Sequence, residues 1–169
     1  VGVDLSPQNV ELARAEASRL GLAERVSFRV GDAERLPVEF ASMDALICEC
    51  AFCTFPDKPA AVREFARVLK SGGRVGLSDI TRKPGPPGEL NDLLAWVACL
   101  ADAGTANAYV EWLTAEGFMN ARVERHDHAL TDLIRSIGQK LLAVEVLAGL
   151  QTIDLEGIDL HTAKRLARQ

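Results

Sequence analysis

Between Asp57 and Asp79 the chain reads D-K-P-A-A-V-R-E-F-A-R-V-L-K-S-G-G-R-V-G-L-S-D. Asp57 is a good helix N-cap. Pro59 suits the first turn, where a missing N–H leaves no bond unmade. Val62, Phe65, Ala66 and Leu69 recur at i, i+3, i+4 and i+7, which lays one apolar stripe along a helix. Lys70 favours the last turn and Gly72-Gly73 permit a left-handed exit. Arg74 to Ser78 then reads as a short strand. An amphipathic helix that delivers the chain straight into a strand is half of an α/β crossover, and crossovers of this kind join parallel strands.

The rest of the chain fits around that unit. Val1 to Leu5 is a short apolar strand ending in the carboxylate of Asp4. Ser6 caps the next helix, with Pro7 in its first turn, Val10, Ala13, Ala17 and Leu20 on its buried side, and Gly21 as its stop. Arg25 to Val30 is a second strand and Gly31-Asp32-Ala33 turns away from it. Met43 to Cys48 is an almost continuous apolar run, the pattern of a strand covered by helices on both faces. Cys50 to Pro56 forms the loop before the Asp57 helix. Lys83 to Gly88 breaks the chain, since its prolines cannot continue a helix or an inner strand. Beyond it Leu90–Ala103 and Ala106–Glu116 read as helices, Ala121–Arg125 alternates like an edge strand, Leu130–Leu150 is helical, and His161–Arg168 suits one more helix.

Three of these stretches carry a resemblance. "VGVDLSPQNVELARAEA", "VGDAERLP" and "REFARVLKSGGRVGLSD" stand in order and at ordinary spacing. Together they resemble the S-adenosylmethionine (SAM)-dependent methyltransferases of the Rossmann-like class. The likeness is greatest to the type 11 branch, with its ubiquinone/menaquinone-type and arsenite methyltransferases. It runs from Val1 to about Arg125. The fold it implies is α/β: a mostly parallel sheet flanked by helices, with the family's first glycine-turn unit and last strand having no counterpart here. Residues 1–82 would be the SAM-binding core with the second to fifth strands, 83–104 a helical insertion over the active site, and 105–169 the C-terminal part of the same domain. On this reading the chain is an internal piece of a longer protein, expected not to bind SAM tightly by itself.

The resemblance also implies site residues. Asp4 would hold the SAM ribose hydroxyls, with Leu5 near the adenine. A carboxylate at a strand end before a helix is placed to accept two such bonds in a doubly wound fold. Asp32 would reach the adenine amino group, helped by the Ala33 backbone. Glu49, at the end of the fourth family strand, joins the cofactor-binding set. Cys50, eight residues before Lys58, and Cys99, in W-V-A-C-L-A-D-A, match cysteines of arsenite methyltransferases; soft thiolates suit a thiophilic acceptor such as As(III). Other uses of these residues compete. Cys48 inside its strand reads as a small buried hydrophobe. C-x-C-x-x-C over 48–53 offers only half of a zinc knuckle, so no metal is expected. His126-Asp127-His128 follows the expected edge strand and reads as surface. No general base stands out, and no catalytic residue is assigned.

Composition closes off several alternatives. A net charge of −5 argues against a general nucleic-acid binder, and no run is apolar enough to span a bilayer. Cysteine usage of this kind suits a cytoplasmic protein. A nicotinamide dehydrogenase would also use an acid after the second strand, but the short-chain type needs Tyr followed four residues later by Lys. The chain's one tyrosine is Tyr109, with Leu113 at that place. The leading expectation is methyl transfer from SAM to a small-molecule acceptor, with neither nucleic acid nor membrane as partner. A non-catalytic SAM-fold binding module is the alternative.

Overall fold

The computed structural model describes residues 1–83 and 102–129, together with positions 131, 132, 135, 136 and 139. Cys99, most of the expected Leu90–Ala103 helix, and nearly all of the expected helices after Leu130 lie outside the described residues. Described residues up to Ala121 fall in one compact unit, and those from Arg122 onward in a second.

Two βαβ units make up the larger unit. In the first, β1 (Gly2–Asp4) leads through α1 (Pro7–Arg19) to β2 (Phe28–Val30), which pairs with β1 in parallel, Asp4 opposite Val30. The Ser6 side chain accepts from the Asn9 N–H, and Gly21, at φ 68°, releases the chain from α1. Val10 and Ala17 are buried, as the periodicity predicts. Leu20 is not: it lies just past the last helical turn and is 53% exposed. β2 is shorter than Arg25–Val30 because the Arg25 and Val26 N–H groups donate back to the Leu22 carbonyl, in a turn that uses up the strand's first residues.

The second unit runs from β3 (Met43–Glu49) through a short 3₁₀ turn (Phe52–Thr54) and α2 (Lys58–Val68) into β4 (Leu69–Ser78), again parallel. Asp57 caps α2 by accepting from the Ala60 N–H at 2.8 Å. The helix ends earlier than the Lys70 and Gly72-Gly73 pattern suggests. Leu69 is already extended and pairs with Met43; the register then jumps, so that Ala45 faces Arg74. Residues 70–73 form the excursion between those pairs. Gly72 takes its left-handed turn there, at φ 79°. A Cβ on Gly73 would lie 2.9 Å from the Lys70 carbonyl oxygen. The two glycines therefore shape a bulge in the strand, and the helix stops because Leu69 finds a strand partner.

α3 (Ala106–Ala115), capped by the Thr105 hydroxyl and ended at Gly117, packs on α2. Its Tyr109 joins Phe52, Ala61, Val62 and Phe65 in one buried cluster, against which Leu46, Cys48, Val75 and Leu77 of the strands also pack. Phe52 lies at its centre, with ring centroids 5.1 Å from Tyr109, 5.6 Å from Phe55 and 6.0 Å from Phe65.

Two further expectations are corrected. The apolar run of β3 is not covered on both faces: Leu46 and Cys48 face the cluster, while Ile47 is 75% exposed. A half-buried strand with an apolar outer face cannot be told from a fully covered one by hydropathy alone. Ala121–Arg125 is not a strand. It has no strand partner among the described residues, and its Arg122, Glu124 and Arg125 side chains form exposed ion pairs with each other and with Asp127. Alternation supplies a strand's side chains, but only a neighbouring edge supplies its hydrogen bonds.

Candidate functional site

The carboxyl ends of the strands carry the polar residues, as open α/β sheets place their ligands. Asp4 closes β1. Its Oδ1 accepts from the Ser6 N–H at 2.8 Å, and both oxygens lie 3.3 Å from the Asn9 side-chain amide. These bonds aim the carboxylate over the start of α1. An ionised carboxylate has about four lone-pair sites, so acceptor capacity remains. Leu5 beside it is 73% exposed.

Asp32 follows β2 at the same edge, two residues beyond the Val30 that pairs with Asp4. Its Oδ1 accepts from the Glu34 N–H at 2.9 Å, an Asx-type turn that fixes the loop. The strand pair continues one step further through Gly31 N–H to the Asp4 carbonyl at 3.0 Å. Gly31 is held there by crowding, since a Cβ would come within 2.5 Å of Pro37. Ala33 turns inward and packs against the Phe52 cluster. The 34–38 segment is tied to α2: Glu34 Oε1 accepts from the Asp57 N–H, Glu64 from the Leu36 N–H, and Arg67 donates to the Leu36 and Val38 carbonyls. The Arg67 guanidinium holds the Glu64 carboxyl below its ordinary range.

Glu49 ends β3, exposed and opposite Ser78. Cys50 comes next, exposed, at the left-handed φ of 49°, its N–H donating to the Ser78 carbonyl at 2.7 Å. Cys53 is buried. Cys48 is half-buried, and its thiol is pushed up to about 11, first by burial and then by the nearby Asp79 carboxylate. That environment keeps the thiol protonated and fits the small-hydrophobe reading of Cys48. His126 and His128 are exposed, and no cluster of three or more His, Cys, Asp or Glu able to hold a metal exists among the described residues.

Three features here had no sequence expectation. Asp79, just past β4, accepts from the Cys53 N–H and the Ile80 N–H, each at 2.8 Å. Its position after a strand was the one local signal; its reach back to Cys53 was not legible. Lys58 is 5% exposed, and its ammonium donates to the Phe55 carbonyl and to Asp102. This ion pair joins the start of α2 to the segment before α3. Tyr109 donates its hydroxyl to the Ile80 carbonyl and accepts from Gly104 N–H; burial pushes its pKa upward. A tied, buried phenol of this kind is structural.

Comparison with known proteins agrees with this geometry. Residues 1–77 match the methyltransferase domain family. The chain is 29% identical over 154 residues to an arsenite methyltransferase of Halobacterium salinarum, covering 88% of this chain and 39% of that protein. It is 44% identical over 77 residues to a demethylmenaquinone methyltransferase of Deinococcus radiodurans, covering 46% and 31%. A solved structure from Galdieria sulphuraria, described as a candidate sarcosine dimethylglycine methyltransferase, superposes with a TM-score of 0.80 over 98% of this chain and 60% of that one, at 21% identity. At that identity the likeness is one of fold. The chain spans well under half the length of either relative.

Proposed function

We propose that the chain belongs to the SAM-dependent methyltransferases of the Rossmann-like class and that the whole protein transfers a methyl group from SAM to a small-molecule acceptor. The observation that carries the reading is the pairing of β1 with β2, which puts Asp4 at the end of one strand and Asp32 two residues past the end of its neighbour, at one carboxyl edge. The residues there fit the cofactor: Asp4 keeps acceptor capacity for two ribose hydroxyls, Leu5 offers an apolar surface to the adenine, and Asp32 with the Ala33 N–H suits the adenine amino edge. Glu49 stands at the carboxyl end of β3, in the other strand pair.

Bound SAM supplies an electrophilic sulfonium methyl. The residues of this chain bind and orient it, align the acceptor behind the methyl and exclude water. The acceptor side is the Cys50 loop, and the class of acceptor we favour is thiophilic, of which trivalent arsenic is the example. An exposed thiol at the β3 edge supports this reading, as does the arsenite methyltransferase named above, whose match extends past the domain core. Cys99 would be the second thiolate.

The test uses the full-length protein with methyl-labelled SAM and sodium arsenite. Label should appear in methylated arsenic, and Cys50→Ser and Cys99→Ser should each abolish this while SAM affinity is unchanged. Activity surviving in both variants removes the thiophilic acceptor and leaves methyl transfer to another small molecule. A folded protein that does not bind SAM overturns the proposal entirely.

A further inference from the structure

The turn after β3 is fastened to the end of β4 from two sides. Cys50 N–H reaches the Ser78 carbonyl at 2.7 Å, a backbone bond that any residue at 78 can accept. The Cys53 and Ile80 N–H groups both end on Asp79, one on each carboxylate oxygen, at 2.8 Å. Those two bonds need a carboxylate at position 79. Cys50, the donor of the first of these bonds, is a non-glycine residue at φ 49°. A left-handed conformation of this sort persists where the surroundings over-determine it.

The position of Asp79 is that of a bracket. Both its oxygens are engaged by backbone donors, it is half-buried, and it lies close enough to the Cys48 thiol and the Tyr109 hydroxyl for its charge to oppose the ionisation of each. Phe52, between Cys50 and Cys53, is driven into the cluster from the same turn. The turn is thus held below by packing of Phe52 and behind by Asp79, which leaves the exposed Cys50 facing outward.

We propose that Asp79 is the positioning residue of the acceptor side: by receiving the Cys53 and Ile80 N–H groups, it holds the 50–53 turn, and with it Cys50, at the carboxyl edge of β3 and β4. The inference rests on the reading of Cys50 as an acceptor ligand. It assigns Asp79 no contact with the reacting atoms.

Asp79→Asn in the full-length protein is the informative variant, since its amide must turn an NH₂ toward one of the two N–H groups. Amide exchange across residues 51–55 should accelerate at least tenfold while that of α2 stays unchanged. With sodium arsenite as the probe acceptor, KM for arsenite should rise about tenfold, KM for SAM should stay within twofold, and Asp79→Glu should recover part of the loss. Exchange at 51–55 equal to wild type overturns the proposal, as does a parallel rise in both KM values. If the wild type binds SAM but does not methylate arsenite, the acceptor reading has failed, and exchange alone then decides the role of Asp79. Should the Asn variant not fold, Asp79→Ser is read in its place with the same outcomes.

Discussion

The two strand pairs end differently. At the β1–β2 edge, Asp4, Leu5 and Asp32 are exposed, and the bonds shown for the two carboxylates reach no further than five residues along the chain. At the β3–β4 edge, the loop between Cys50 and Pro56 drops Phe52 and Cys53 into a core that takes in α2 and α3. Its backbone is held by Ser78 and Asp79, more than twenty residues away. One edge is a local construction with exposed carboxylates; the other is a tertiary construction in which the proposed acceptor residue Cys50 and the core share a turn. Changes at the first should therefore alter affinity with little effect on folding, and changes at the second should alter folding first.

The largest expected effect is at Phe52. It is fully buried and meets four aromatic rings, so Phe52→Ala should lower stability by about 3–5 kcal/mol in urea unfolding. Leu5→Ala, at the exposed edge, should stay within about 0.5 kcal/mol. Similar losses at both positions would dissolve the contrast.

Next comes the Cys48 thiol, near 11 because of burial and Asp79. An ordinary thiol titrates around pH 8.5. At pH 8 alkylation of Cys48 by iodoacetamide should thus be roughly a hundredfold slower than that of a small free thiol. The sign for stability follows. The unfolded thiol ionises first, so the contribution of the buried neutral form is whole below the ordinary thiol range and is lost as pH climbs toward 11. Cys48→Ser should flatten that decline; an unchanged slope would show that Cys48 is not its source.

Asp4→Ala in the full-length protein should weaken SAM by about 1–3 kcal/mol, two hydrogen bonds at roughly 0.5–1.5 each, as read by calorimetry. The same affinity in a folded variant would take Asp4 out of the site. The smallest effect is at the cap of α1. Ser6→Ala should cost about 1 kcal/mol of stability, with SAM affinity following only as far as Asp4 loses its orientation. A larger change in affinity than in stability would show that the cap acts mainly on the site.

What was legible in the sequence follows the same divide. Ser6 and Asp57 cap their helices, Gly21 and Gly117 release theirs, and the apolar stripe of α2 is buried, because each of these is settled by contacts within one or two helical turns. The positions of Asp4 and Asp32 at strand ends were legible for the same reason. The end of α2 was not. Leu69 and Lys70 could continue the helix by propensity, but Leu69 instead pairs with Met43, and Gly72-Gly73 shape the bulge that this pairing requires. The alternation of Ala121–Arg125 misled for the same reason: it suggests an edge strand, but the segment has no strand partner among the described residues.

By itself, then, the chain's order of residues determined the α/β class, α1 and α2 with their caps, the place of α3, and which carboxylates stand at strand ends. Those properties depend on neighbours close along the chain. The tertiary structure alone decided that Asp79 reaches Cys53, that Lys58 is buried on Asp102, and that Cys48 and Cys50, two residues apart, face opposite environments. Each of these depends on which distant segment arrives at the β3–β4 edge. Burial and hydrogen-bond partners are properties of that meeting, and local propensity carries no record of it.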